Sequence, residues 1–90
     1  MAAEWDVIDN AVWFEITHLG KSMACRIDGA TLWEYLGAES PTHPFALRAF
    51  NLQSVAIEAL AVGKAERGEL EPPTRRGNHV VWLRARDVAP

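Results

Sequence analysis

The chain is poor in the side chains that do chemistry. It holds one cysteine, Cys25, and three histidines, His18, His43 and His79. A single thiol excludes an intramolecular disulfide and suits a reducing compartment, so the expected location is the cytoplasm. A zinc site needs closely spaced Cys/His pairs, and the sequence has none. Uncharged apolar runs stop after a few residues, far short of the ~20 that span a bilayer, so no membrane segment is expected. The opening MAAEWDVIDN is acidic and lacks an apolar stretch, which argues against a secretory signal. Gly20, Gly29 and Gly37 fall where turns and helix ends are expected, and they do not form a phosphate-cradling loop.

Catalytic constellations are equally scarce. A Cys/His dyad needs an accessible thiol polarised by a base, whereas Cys25 lies between Met23 and Ile27 on an apolar strand face. There it reads as a small buried hydrophobe. His18 falls at a hairpin end and His43 beside a proline, so both read as turn residues. Glu34, Glu58 and Glu66 lie on expected helical surfaces, where solvation is the default. The expectation is a protein that is not an enzyme, with no cofactor and no metal.

What the chain does contain is the material of one small domain. Ninety residues fill a single core, so residues 1–90 are read as one α+β domain. Charge is uneven: residues 1–71 carry eleven acids against five bases, while residues 72–90 carry Asp87 against Arg75, Arg76, Arg84 and Arg86. A basic end can mark an anionic partner, but four arginines are a small footprint by nucleic-acid standards.

The run from Ala11 to Gly37 fixes most of the fold. Val12, Phe14 and Ile16 alternate with Trp13, Glu15 and Thr17, and Met23, Cys25 and Ile27 alternate with Ala24, Arg26 and Asp28. Period-two side-chain direction makes the first members of each strand the core face. A two-residue Gly20-Lys21 turn would set Glu15 opposite Arg26; a four-residue loop from His18 to Lys21 would set Trp13 there. Both keep the same face inward, because a one-residue slip would bring a charge against Phe14. Asp28 is placed to cap the following helix, which carries Leu32, Trp33 and Leu36 and ends at Gly37.

Two prolines make 38–44 a connector. A long helix is expected from about Phe45 to Arg67, with Leu47, Phe50, Ile57, Leu60 and Ala61 on one stripe, a break near Asn51–Ser54, and Gly68 as the stop. Residues 68–78 read as a loop, and His79–Arg86 as a final strand with Val81, Leu83 and Ala85 inward. The order is β-β-α-α-β: a small antiparallel sheet with two helices on one face, with room for a short extra strand near Trp5–Ile8.

The pattern V-x-F-x-I (12–16), a Gly turn, C-x-I-D (25–28), T-L-x-E-x-L-G (31–37), A-F (49–50), I-E-x-L-A (57–61), then V-x-L followed by Asp87 resembles a family of short bacterial proteins catalogued as a domain of unknown function. The resemblance covers nearly the whole chain and rests mostly on core positions and caps. It implies a compact α+β domain and brings no catalytic residues. Family members tend to carry a basic residue soon after the helix-interior Asn; here Leu52-Gln53-Ser54 follows Asn51.

Aromatic and arginine placement is the most suggestive signal. With Val81 and Leu83 inward, Trp82, Arg84 and Arg86 face outward, and Trp13 and Arg26 occupy the same outer face of the hairpin. Trp and Arg are enriched at binding hot spots. The alternative is a face covered by the N-terminal segment, with Trp5 and Ile8 packed on Trp13 and Trp82. The expected function is a non-enzymatic interaction or regulatory protein acting through protein contacts, with another protein or with itself. The candidate binding residues are Trp13, Arg26, Arg75, Arg76, Trp82, Arg84 and Arg86. A weak nucleic-acid binder using the outer sheet face and the Arg75–Arg76 loop is the second reading. A small inhibitor occluding a nucleic-acid site on a larger complex is the third.

Overall fold

The computed structural model describes residues 3–72 and 79–89. The elements run β1 (Glu4–Asp6), β2 (Ala11–His18), β3 (Lys21–Asp28), α1 (Gly29–Tyr35), α2 (Phe45–Leu52), α3 (Ser54–Glu66), β4 (Val81–Leu83) and α4 (Ala85–Val88). The class is α+β, and the extra N-terminal strand is present. The four strands lie in chain order in one sheet. β2 pairs antiparallel with both β1 and β3, but β4 runs parallel to β3, so the sheet is mixed rather than antiparallel. Parallel neighbours require a long crossover, and α1, α2 and α3 supply it. The last strand is also shorter than 79–86. The chain turns into α4 at Ala85, where the Asp87 carboxylate accepts the N–H of Arg84 at 2.7 Å.

The hairpin adopts the register that sets Trp13 opposite Arg26. It closes more tightly than a four-residue loop, because His18 pairs with Lys21 and leaves Leu19 and Gly20 as a two-residue turn. Both have positive φ, 53° and 75°, the signature of a type I′ turn. A leucine in the left-handed region costs about 1–2 kcal/mol, and Leu19 is 86% exposed, so burial offsets little of that cost. Leu19→Asn should therefore stabilise the domain by about 1 kcal/mol, read as a higher urea midpoint at unchanged slope. A lower midpoint would mean that the leucine side chain is held by contacts the turn conceals.

Val12, Phe14, Ile16, Cys25, Ile27, Val81 and Leu83 form the inner sheet face, and Leu32, Ala46, Ala49, Phe50, Ile57, Ala61 and Ala65 pack on it from the helices. Met23 and Leu36 border this core, whereas Leu60 points outward and is 40% exposed, contrary to the expected stripe. The long helix is in fact two helices, because α2 and α3 meet at an angle of 80°. The bend sits at Gln53, whose side-chain amide donates to the carbonyls of Leu36 (2.6 Å) and Ala49 (3.2 Å). Asp28 precedes α1 without capping it through its side chain; its carboxylate accepts from Arg26 Nε instead, at 2.8 Å. Gly29 is required by close approach, since a Cβ there would lie 1.9 Å from the Pro41 carbonyl oxygen. Gly37 and Gly68 end their helices with positive φ, as expected.

Candidate functional site

The outer sheet face assembles as its alternation dictates, but most of it is spent internally. Trp13, Arg26 and Trp82 form one row across β2, β3 and β4. Trp13 is only 3% exposed, and its indole N–H donates to Asp9 at 3.0 Å. Neither Trp5 nor Ile8 provides the cover: Trp5 packs against the core cluster on the other side, near His43, and Ile8 is exposed. Trp82 is clamped between two guanidinium groups, Arg26 at 3.8 Å and Arg84 at 3.4 Å from its ring centroid. Such stacking contributes about 0.5–2 kcal/mol per pair and keeps planar cations over the ring.

Each of these arginines also has an acidic partner. Arg26 bridges Asp28 at 2.8 Å and reaches the Asp9 carbonyl at 3.5 Å, and Arg84 bridges Glu71 at 2.7 Å. The buried Trp82 Nε1 has no hydrogen-bond partner among the described residues. Arg86 has left the sheet for α4, where it is exposed. Arg75 and Arg76 lie outside the described residues. The structure thus brings Trp13, Arg26, Trp82 and Arg84 together as a stacked, ion-paired network, and sets Arg86 apart.

Beneath this network lies a feature that the charge count concealed. Lys64 on α3 is 1% exposed, and its ammonium donates to the Trp82 carbonyl (2.7 Å) and to Asp87 Oδ2 (2.6 Å). Partial burial pushes the Asp87 carboxyl up. The hydrogen bonds from Lys64 and the Arg84 N–H, with the charges of Lys64 and Arg86, outweigh that effect and hold it below the usual carboxylate range. The pair ties α3 to β4 and α4. Its signal was present in the sequence: Ile57, Ala61 and Lys64 share one helical face, so the lysine falls on the inward stripe.

Burial pushes the Cys25 thiol up to about 12, with the carboxylates of Glu58 and Glu15 adding to the effect against a backbone hydrogen bond. It is therefore a poor nucleophile at neutral pH. Among the described residues no group of three His, Cys, Asp or Glu side chains could hold a metal ion, and no single helix is long and apolar enough to cross a membrane.

The open surface is instead at the α2–α3 elbow. Leu52 (81%), Val55 (83%), Ala56, Ala59 and Leu60 are exposed, and the concavity there is lined by Asn51, Leu52, Gln53, Ser54, Val55, Ala56 and Ala59, none of them charged. Helical geometry places Val55, Ala56, Ala59 and Gly63 on one side of α3 and Ile57, Ala61 and Lys64 on the other, with Leu52 exposed at the end of α2 beside the bend. A helix apolar on both sides is normally covered on both. Sequence reasoning passed over this face because it assigned Leu60 inward and left Leu52 and Val55 unplaced.

No curated protein and no solved structure matches the chain. A family model matches residues 2–74, a span that reaches from the start of the sheet through Lys64. The chain belongs to that family, described as a protein of unknown function (DUF1488).

Proposed function

We propose that this domain is a non-enzymatic interaction protein of regulatory type, acting through protein contacts at the outer face of α2 and α3 in the cytoplasm. The observation that carries the reading is the uncharged, exposed surface of Leu52, Val55, Ala56, Ala59 and Leu60. Contiguous exposed apolar surface on a small domain marks an interaction site, because leaving it in water forfeits about 25 cal/mol per Å². The nucleic-acid reading has less support. Arg26 and Arg84 are already paired with carboxylates and stacked on Trp82, so each phosphate contact would first break an internal one.

A photo-reactive phenylalanine analogue at position 55, compared with the same residue at position 39 in the exposed connector, tests the reading in the native host. Light should yield covalent protein adducts of discrete mass from position 55 and none from 39. Nuclease-sensitive adducts would promote the nucleic-acid reading, and no adduct at position 55 would remove the α2–α3 face as the contact surface.

A further inference from the structure

Resting on that reading, we propose that the occupant of the α2–α3 face is a second copy of the same chain, its α3 packed antiparallel to the first about a two-fold axis through Ala59. Three observations converge on it. The first is charge. The outer side of α3 runs Val55, Ala56, Ala59 and Gly63 without a charge and ends at the exposed Glu66. The opposite end of the helix has no acidic residue in its first turn and no side-chain cap; the Gln53 amide N–H groups point away from it, donating to the carbonyls of Leu36 and Ala49. Among the described residues the positive end of the helix dipole is therefore left without a capping acceptor or a first-turn acid. An antiparallel pairing centred on Ala59 carries each Glu66 seven residues past the axis, just beyond Ser54, the first residue of α3 in the other copy, which stands five residues before the axis. One symmetric contact then satisfies both ends twice.

The second observation is Gly63. Glycine inside a helix costs roughly 0.5–1 kcal/mol relative to alanine, so it needs a reason. None lies among the described residues, where a Cβ at Gly63 would meet only the tip of the Arg67 side chain, at 3.5 Å. Together with Ala56 and Ala59 it lowers the outer side of the helix, which permits an interaxial distance near the short end of the 8–10 Å range. Leu52, at the end of α2, and Val55 stand together at the N-terminal end of that shallow strip, placed to close over the other copy.

The third is size and symmetry. A face that is its own complement is what an isologous two-fold contact requires. A single pair of 13-residue helices buries less than the ~1,200 Å² of a standard interface. The dimer is accordingly weak and reversible, and it forms with rising concentration. The sheet does not compete for this role, because both edge strands, β1 and β4, are three residues long.

Light scattering and sedimentation of the purified chain, from about 10 µM to about 1 mM, should show a monomer passing to a dimer. Val55→Asp should weaken the dimer at least about tenfold with unchanged circular dichroism and melting, since the side chain is exposed. Glu66→Lys should weaken it about three- to thirty-fold, through the two helix-end contacts of the symmetric pair. Ala59→Cys should oxidise to a disulfide-linked dimer faster than a cysteine placed at Glu39, with the buried Cys25 inert in both. A strict monomer at 1 mM, or a dimer indifferent to Val55→Asp, overturns the second copy. If the photo-adduct from position 55 has the mass of a different protein while the purified chain stays monomeric, the contact surface stands and the second copy falls.

Discussion

Asp87→Ala should cost about 3–5 kcal/mol of stability, because it leaves the Lys64 ammonium buried without its countercharge. A domain of this size stands near the low end of the usual 5–15 kcal/mol, so the variant should be largely unfolded, or close to it, at 25 °C. Denaturant titration by circular dichroism measures the loss. Lys64→Met combined with Asp87→Ala should be more stable than Asp87→Ala alone, since an apolar side chain of similar length removes the stranded charge. The pH dependence has a definite sign. The native Asp87 carboxyl titrates below its unfolded value, so its contribution is complete above the ordinary carboxylate range near 3.9. That contribution is lost as pH falls through the lower native value. Asp87→Asn should flatten this acid limb. A cost under about 1 kcal/mol for Asp87→Ala would mean that Lys64 reaches water or another acceptor in the native state.

Phe14→Ala should cost a similar amount, about 3–5 kcal/mol, by a different mechanism. Phe14 stands at the centre of the inner sheet face, with its ring tilted 46° to that of Phe50 at a centroid distance of 4.8 Å. Truncation removes the ring's burial and leaves a cavity bounded by β2, β3 and α2, elements held by hydrogen bonds that resist collapse. Phe50→Ala should be coupled to it: the double variant should cost less than the two single losses together, by about 0.5–1.5 kcal/mol. Unlike the Asp87 variants, this one should leave the acid limb of the stability curve unflattened. Losses that add without coupling would place the two rings out of contact.

The hairpin was legible because alternation with a period of two leaves a single parity, and a charge against Phe14 excludes the other. The direction of β4 was not legible. Val81-Trp82-Leu83 alternates identically whether it runs with β3 or against it, and the choice is made by the path of three helices between them. Ala85 and Arg86 continue that alternation in the sequence, but Asp87 accepts the Arg84 N–H and starts a helical turn. The row of Trp13, Arg26 and Trp82 could be read in advance, whereas the contacts of Arg26 with Asp9 and of Arg84 with Glu71 are long-range and could not. Lys64 was visible as a member of an inward stripe, and the rule that lysines are solvated overrode the stripe. The α3 face was missed for a related reason. A helix apolar all round gives no moment to orient it, so periodicity alone could not choose between Leu60 and Lys64 as the inward neighbour of Ile57.

The parallel seating of β4 also sets the order in which the chain organises itself. The β2–β3 hairpin closes over two residues, an event on the microsecond scale. Joining β4 to β3 instead closes a loop of about fifty residues, between Asp28 and Val81. Its entropic cost must be met before any of its contacts form. The hairpin with α2 and α3 is therefore expected to organise first, with β4 and the Lys64–Asp87 pair docking after the main barrier, which a φ-value near zero for Asp87→Asn would check. Interactions made that late leave the folding rate almost untouched and act on the rate of escape from the native state. The buried ion pair, on this account, is a latch that governs how long the domain persists once formed.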